Sequence, residues 1–392
     1  MRMKHVFVWV TPLYQPRLNG IAKYAHAHGW HLTISDRIGY NPSGWRGDGA
    51  IVTIRDDPEA IAFVKSLRKR KIPVVDLTFN HPELRLPRVT GDHAEFGRLA
   101  ADYFADRHYT NAAWFSRGWM NIHRLRYDGF CNGWHGNEPE RWVLDEMLPT
   151  ASRGDFAAIS RIIRARLANS PKPIAVLAYD DNDAATLLSV CLDANIAVPD
   201  EVAILGIGDD QFICENQEVP LSSILHDQEC TGYEGSALLD RLMSGEKPPA
   251  KPIVIPSGGI VTRASSDSFA VTPPELRRAL VYINTHLARP FSVDQVADAA
   301  RVPRRTLERL FKREIGRSCG QETLRRRLVQ AKILLRNENL SIKEIASECG
   351  FCDQAYFSNA FNHAFGLSPR NARPRNHREA AMPRCLYSSA YS

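Results

Sequence analysis

Residues 341–369 read SIKEIASECGFCDQAYFSNAFNHAFGLSP, and this stretch is the strongest fold signal in the chain. Ser341 and Glu344 have the spacing of a helix-capping box, and apolar residues then recur at helical spacing. Gly350 allows a tight turn, and Asp353 can cap a second helix whose apolar face is aromatic. The pattern therefore predicts two short helices packed around a turn, the helix-turn-helix arrangement.

A similar pattern precedes it in the chain. Ser292 and Gln295 again have capping-box spacing, and Pro303 suits the first turn of a second helix. The helical spacing of Leu307, Leu310 and Phe311 gives that helix a buried face. Between the two patterns, residues 321–337 are predicted to form one longer helix. The C-terminal part of the chain is therefore an all-α tandem helix-turn-helix domain.

The outward faces of the two second helices carry the candidate DNA-contacting side chains. Long cationic and amide side chains on a helix in the major groove reach base edges and phosphates. The first of these helices offers Arg304, Arg305, Thr306, Arg309 and Lys312, and the second offers Gln354, Ser358, Asn359, Asn362 and His363. Charge supports this assignment: residues 275–378 contain 20 Lys and Arg against 10 Asp and Glu, which favours a polyanionic partner.

The C-terminal pattern is similar to the signature of the AraC/XylS family of transcription regulators. The similarity rests on Ile345-Ala346, Cys349-Gly350-Phe351, Tyr356-Phe357, Phe361, Phe365-Gly366, Ser368-Pro369 and Arg373. Ala372 departs from the family, which usually has an aromatic residue there. The resemblance implies that the two recognition helices enter successive major-groove segments of double-stranded operator DNA. It also implies an activator that contacts RNA polymerase.

The N-terminal part of the chain alternates short apolar runs with helical patterns. We predict strands at residues 6–10, 32–35, 49–53, 74–77, 112–115, 174–178 and 202–205, with helices between most of them. Alternating strands and helices are typical of a doubly wound parallel sheet, and the length favours two such lobes. We therefore predict an α/β two-lobed unit followed by the all-α tandem domain.

Several motifs of this part resemble the periplasmic-binding-like sensor of LacI-type regulators. They are Thr90-Gly91-Asp92-His93, Arg124-Leu125-Arg126 and the run from Ile174 through Asp210. The resemblance implies a ligand cleft between two lobes, beyond the carboxyl ends of the strands. Arg126 matches the arginine of LacI-type sugar sites, whereas Gly208 stands where the family often has a ligand aspartate. The candidate ligand-binding residues are Tyr14, Arg17, Asn19, Arg126, Asp180 and Asp209.

Two of these candidates have alternative structural explanations. Asp180 lies directly before a predicted helix and could cap it instead of binding a ligand. Arg126 could instead be a structural ion-pair partner. Both alternatives stay open at the level of the sequence.

The combination of domains resembles the sugar-responsive regulators of xylose operons. We predict a sensor over residues 1–264, a linker at 265–274, the DNA-binding domain over 275–375 and a disordered tail at 376–392. The resemblance implies a homodimeric activator whose effector is a small sugar, xylose or a related plant-derived sugar. The alternative is a regulator whose sensor binds a non-sugar effector, or binds no ligand and serves for dimerisation.

An enzyme is a poor interpretation of this sequence. Asp180–Asp183 and Asp209-Asp210 offer carboxylates, but no phosphate loop, nucleophile elbow or metal-ligand pair accompanies them. We therefore predict no catalytic residue, no metal site and no cofactor. No apolar run is long enough to span a membrane, and the N-terminal apolar run lacks a signal-cleavage pattern. We accordingly expect a cytoplasmic protein with no membrane partner.

Overall fold

Short runs of consecutive apolar residues form buried parallel strands, as their composition predicts. The computed structural model describes residues 3–10, 14–35, 42, 44–55, 57–271, 273–335 and 340–373. The first lobe contains β1 (Lys4–Val10), α1 (Gln15–Ala27), β2 (Trp30–Ser35), β3 (Gly49–Thr53), α2 (Pro58–Lys69) and β4 (Val74–Asp76). These strands pair in parallel in the order β2-β1-β3-β4, which confirms the predicted sheet of the first lobe.

A second lobe is built on a larger sheet. The chain continues through β5 (Val89–Gly91), α3 (His93–Asp106), β6 (Ala112–Ser116), α4 (Asn121–Gly133), β7 (Glu140–Val143), α5 (Leu144–Met147), α6 (Phe156–Asn169), β8 (Ile174–Ala178), α7 (Asp181–Asp193), β9 (Val202–Gly208), α8 (Gln211–Glu215), β10 (Ser222–His226), α9 (Gln228–Met243), β11 (Ile253–Ile255) and β12 (Ser257–Val261). The six-stranded sheet has the order β12-β10-β9-β8-β6-β7, and β12 runs antiparallel to β10. The predicted two-lobed α/β architecture is therefore confirmed.

The chain passes between the two lobes at three places. Helix α9 returns to the first lobe, where Leu238 and Leu239 share a core with Val6 and Val8. Strand β11 pairs with β5, and β12 then joins the sheet of the second lobe. The crossings therefore fall between β5 and α3, between β10 and α9, and between β11 and β12. Such multiple crossings can act as a hinge between lobes.

The second compact unit comprises residues 107–109 and 267–392. Its helices are α10 (Pro274–Thr285), α11 (Val293–Ala300), α12 (Arg304–Leu310), α13 (Cys319–Leu334), α14 (Ile342–Glu348), α15 (Gln354–Phe365) and α16 (Pro369–Ala372). The capping boxes predicted at Ser292 and Ser341 are both present, and Gly350 has the positive φ of 72° that its turn requires. No helix of the described residues has the length and apolar character that a membrane span needs.

The segment predicted as a linker contributes side chains to a core. Phe269 and Val271 pack with Leu276 and Leu280 in the apolar cluster of α10–α12. The predicted tail at 376–392 lies outside the described residues. The sequence did not reveal this packing because the apolar run Phe269–Val271 is only three residues long and is flanked by serines, an aspartate and prolines.

A buried carboxylate organises the middle of the second unit. The side chain of Glu322 on α13 is fully buried, and its oxygens lie 3.1, 2.7 and 2.8 Å from the guanidinium nitrogens of Arg317, Arg325 and Arg326. Arg326 is itself only 1% exposed, and its guanidinium carbon lies 4.5 Å from the ring centroid of Phe269. Arg326, the middle residue of the three consecutive arginines Arg325–Arg327 on α13, is therefore buried in the unit and not exposed to solvent.

Replacing Glu322 by glutamine should selectively destabilise the second unit. The change leaves buried cationic groups without their carboxylate, and breaking a buried pair in this way costs about 3–5 kcal/mol. Far-UV circular dichroism of the helices during urea unfolding measures this loss. All seven tryptophans lie between residues 9 and 142, so their fluorescence reports the first unit separately. Glu348→Gln, at an exposed site, is the matched control, and an equal effect of the two substitutions would contradict the role given to Glu322.

Candidate ligand cleft and nucleic-acid interface

The two lobes of the first unit meet where several strands end. On one side Tyr14 follows β1, and on the other Asp180 and Asp209 follow β8 and β9. The hydroxyl of Tyr14 lies 3.9 Å from the position that a Cβ on Gly208 would occupy. Asn121 of the second lobe donates from Nδ2 to the carbonyl oxygen of Phe79 in the first lobe, at 2.6 Å. We call this junction the cleft; it is where open α/β folds place their ligands.

Arg126 on α4 is buried beside the cleft among neutral groups. Its Nε donates to Nδ1 of His93 at 3.3 Å, and its Nη1 donates to the carbonyl oxygen of Tyr179. Its guanidinium carbon lies 4.7 Å from the ring centroid of Tyr179 and 5.6 Å from that of Phe96. Burial lowers the pKa of Arg126, and no carboxylate of the described residues forms an ion pair with it. The structure thus gives Arg126 no structural ion-pair partner.

Two glycines allow the helix contact that brings His93 to Arg126. A Cβ on Gly97 would lie 2.0 Å from the carbonyl oxygen of Arg126, and a Cβ on Gly129 would lie 2.1 Å from that of Ala94. Helices α3 and α4 therefore touch backbone to backbone, an approach that only glycine permits. His93 carries its proton on Nε2 if it accepts from Arg126 and donates to Oγ1 of Thr90, 3.0 Å away. Burial and then Arg126 hold the pKa of His93 well below its usual range, so it is neutral at pH 7.

Arg17 reaches the cleft from the first lobe. Its Nε and Nη2 donate to Oε1 of Gln228, at 2.9 and 2.5 Å, and Nε2 of Gln228 lies 2.7 Å from Nδ1 of His226. Burial lowers the pKa of Arg17 to about 10, while Tyr179, Tyr14 and Asp76 raise it. Burial, followed by Asp210 and Asp181, raises the pKa of Tyr14 above its usual value. Tyr14, Arg17 and Arg126 are therefore brought into one electrostatically connected group.

The other three candidates lie outside this group or are already bonded. The carboxylate of Asp180 caps α7 by accepting from the amide of Asp183 at 2.9 Å. Asp209 forms an ion pair with Arg263, at 2.8 Å between Oδ1 and Nη1. Asn19 is exposed on α1 and accepts from Gln15 at 2.9 Å. The sequence had left capping open for Asp180, and capping is what the structure shows.

Sequence reasoning passed over a second set of cleft residues. They include Asp181, which accepts from Oγ of Ser223 at 2.5 Å and from the amide of Asp210 at 2.8 Å. Histidines occupy two of the lobe crossings, and their ring centroids are 6.1 Å apart. The motif Thr90-Gly91-Asp92-His93 pointed to His93. His226 stands alone in the sequence, and a single histidine has no periodicity that marks it as part of a site. The set comprises His93, His123, Tyr179, Asp181 and His226.

The second unit presents two exposed recognition helices. Arg304, Arg305, Arg309 and Lys312 are exposed on α12 and the π-helical turn that follows it, Phe311–Ile315. Arg304 forms a 3.3 Å ion pair with Asp294. The side chains of Arg305, Arg309 and Lys312 form no hydrogen bond or ion pair with another described residue. Thr306 is partly buried on the same helix.

Helix α15 carries the second group of candidates. Its aromatic residues Phe357 and Phe361 are buried in the core of α13–α15, which fixes the orientation of the helix. The predicted cap is present, because Asp353 accepts from the amide of Tyr356 at 2.7 Å. Four candidates are exposed and Ser358 is partly buried; the exposed ones are Gln354, Asn359, Asn362 and His363. Each recognition helix therefore has an inner packing face and an outer polar face, the arrangement that major-groove helices use.

Comparison with known protein families identifies both units. A periplasmic binding protein-like domain matches residues 101–266, and a helix-turn-helix domain matches residues 296–375. The first match falls in the two-lobed unit and the second covers α12–α16. The fold and these matches define a chain in which a periplasmic-binding-like domain precedes a helix-turn-helix domain.

The relatives identify the group more narrowly. The xylose operon regulatory protein of Escherichia coli K12 is 32% identical over 239 residues, which cover 61% of each protein. The corresponding protein of Haemophilus influenzae is 26% identical over 369 residues, covering 91% of this chain and 94% of the relative. The solved structure of the xylose-binding transcription activator xylR has a TM-score of 0.58 at 22% identity, over 95% of this chain and 98% of that one. The chain is therefore homologous to xylose operon regulatory proteins, and its match with the Escherichia coli protein spans 61% of that protein's length.

The buried carboxylate of Asp181 should make the stability of the first unit depend on pH. Burial raises the pKa of Asp181 to about 6, so the folded chain holds this proton more tightly than the unfolded chain, where the usual value is 3.8. The ionised form therefore destabilises the folded state above pH 6, and the effect fades as the pH falls towards 4. Asp181→Asn removes this titration, so its stability relative to the natural chain should fall by about 2 kcal/mol between pH 7.5 and 4.5.

Urea unfolding followed by tryptophan fluorescence at several pH values measures this difference. Asp193→Asn is the matched control, because Asp193 is exposed on the same helix, α7. A difference between the Asp181 variant and the natural chain that stays constant with pH would show that Asp181 titrates normally.

Proposed function

We propose that this chain is a sequence-specific DNA-binding transcription regulator controlled by a small sugar or sugar derivative bound in the cleft. The observation that carries the proposal is the pair of recognition helices, α12 and α15, each held by its own core and exposing polar or cationic side chains. Cationic groups free of internal ion pairs, such as Arg305 and Arg309, are available to neutralise phosphates. The similarity to xylose operon regulatory proteins supports regulation of transcription and, for the effector, a sugar.

Control by the effector follows from the architecture of the first unit. Three chain crossings connect the two lobes, and the charged and aromatic groups of the cleft come from both of them. A ligand that bonds to both lobes stabilises a closed arrangement, because it binds that arrangement better than the open one. We propose that closure alters DNA binding by the second unit and that the protein acts as a homodimeric, cytoplasmic activator that contacts RNA polymerase. The residues proposed to contact DNA remain the ten on α12, the π-helical turn and α15.

Arg309→Ala should weaken binding to the recognised duplex without affecting the first unit. We expect a loss of about 1–3 kcal/mol, roughly 5- to 150-fold in affinity, if Arg309 contacts a base edge. The duplex is first selected from randomised DNA by the full chain, and its affinity for both proteins is then measured by fluorescence anisotropy at several salt concentrations. A contact to phosphate instead of a base would lower the slope of log affinity against log salt by about one.

The matched control is Arg161→Ala, at an exposed arginine of α6 in the first unit. Equal affinities for the Arg309 and Arg161 variants would contradict the assignment of α12 as a recognition helix. Failure of the full chain to enrich any duplex would contradict the proposed function itself.

A further inference from the structure

The cleft holds two cationic side chains that lack an anionic partner. The hydrogen bonds of Arg17 go to the neutral amide of Gln228, and those of Arg126 go to neutral His93 and to the carbonyl oxygen of Tyr179. Neither guanidinium forms an ion pair with any described carboxylate. Buried charges in proteins are normally paired, since an unpaired one is expensive to remove from water. The cleft therefore departs from this rule at Arg126, which is only 5% exposed, and the half-buried Arg17 also lacks an ion pair with a described residue.

Two other buried arginines of this chain, Arg88 and Arg326, do follow the rule. Arg88, 5% exposed, pairs with the fully buried Asp76 at 2.9 Å. Arg326 pairs with Glu322 at 2.8 Å. Arg327, which is half-buried, lacks a carboxylate too, but backbone carbonyl oxygens of Leu287 and Arg289 accept from its guanidinium. Arg126 differs from Arg88 and Arg326 in being equally buried without a carboxylate, and it is the one that lies beside the cleft.

The acidic residues near the cleft are already engaged elsewhere. Asp76 bonds to Arg88 and also accepts from the hydroxyl of Thr78 at 2.7 Å. Asp180 caps α7, and Asp181 accepts from Ser223 and from the amide of Asp210. None of them forms an ion pair with the two cleft arginines. A path of contacts links the two guanidiniums: Gln228, which binds Arg17, lies 2.7 Å from Nδ1 of His226, and the ring of His226 lies 6.1 Å from that of His93, which accepts from Arg126.

We propose that the effector is a sugar acid, a small polyhydroxylated molecule with one carboxylate, and that Arg17 and Arg126 bind this carboxylate from the two lobes. The inference rests on the proposed function and specifies its ligand class. A planar carboxylate matches the donor fork of a guanidinium. Asp180, Asp181 and Asp210 contribute negative charge near the same site, which favours a singly charged ligand over a phosphate dianion. The rings of Tyr14 and Tyr179 supply surface and a hydroxyl for the rest of the molecule.

Titration calorimetry of the full chain with matched ligands tests the proposal. The acids are D-xylonate, D-gluconate, D-glucuronate and D-galacturonate, and the neutral compounds are D-xylose, D-glucose and D-glucuronamide, with D-glucose 6-phosphate as the phosphate arm. We expect at least one acid to bind about 10- to 100-fold more tightly than its neutral counterpart, as for hydrogen bonds to charged groups. Stronger binding of a neutral sugar or of the phosphate would overturn the sugar-acid assignment while leaving a sugar-controlled regulator in place. Binding of none of these compounds would overturn both the assignment and the sugar part of the proposed function.

Arg17→Gln assigns the effect to the cleft. This variant should lose about 10-fold or more in affinity for the acid and change its affinity for the neutral counterpart by less than about threefold. Arg17→Lys keeps the charge, and its affinity for the acid should lie between those of the natural chain and of Arg17→Gln. Arg124→Gln, at an exposed arginine of α4, is the control and should bind like the natural chain. Equal losses for acid and neutral ligand in Arg17→Gln would mean that Arg17 only maintains the fold, and would overturn its role.

Discussion

The burial of Arg126 without a carboxylate is the constraint on which the two-lobed unit depends. A guanidinium taken out of water must find hydrogen-bond acceptors, and here they are a neutral histidine ring, a backbone carbonyl and two aromatic faces. This solution works only because Gly97 and Gly129 let α3 and α4 meet backbone to backbone. The hydrogen bonds of Arg126 connect helix α4 with His93 at the lobe crossing and with Tyr179 at the end of β8. A change at the ligand can therefore reach the crossing between the lobes through a short series of bonded groups.

The second unit handles buried charge in the opposite way. The carboxylate of Glu322 forms ion pairs with three arginines, and this cluster holds α13 between the two helix-turn-helix cores. The charge of this buried cluster is thus compensated internally, and the exposed cations of α12 lie outside it. The contrast separates two kinds of arginine in one chain. The buried Arg88 and Arg326 have internal carboxylates and stabilise the fold. Arg126, Arg305 and Arg309 have none, and we propose that they bind an anion from outside, an effector in the first unit and a nucleic acid in the second.

The sequence predicted what depends on local chemistry. Capping boxes at Ser292 and Ser341, the turn at Gly350 and the buried strands all follow from short-range rules, and the structure confirms them. It could not predict groupings that depend on the path of the chain. The return of α9 to the first lobe brings Gln228 to Arg17, and no periodicity marks that pair. The same limit applies to Asp180 and Asp209. Only the three-dimensional structure shows that Asp180 accepts from the amide of Asp183 and that Asp209 pairs with Arg263.

We propose that the cleft and the recognition helices are energetically coupled. The direct test measures the affinity of the full chain for its selected duplex with and without saturating effector, and the affinity for effector with and without duplex. We expect both affinities to change by the same factor, about 5- to 150-fold, because coupling between two binding sites is reciprocal. A duplex affinity that stays the same at saturating effector would contradict this coupling, whatever the cleft binds.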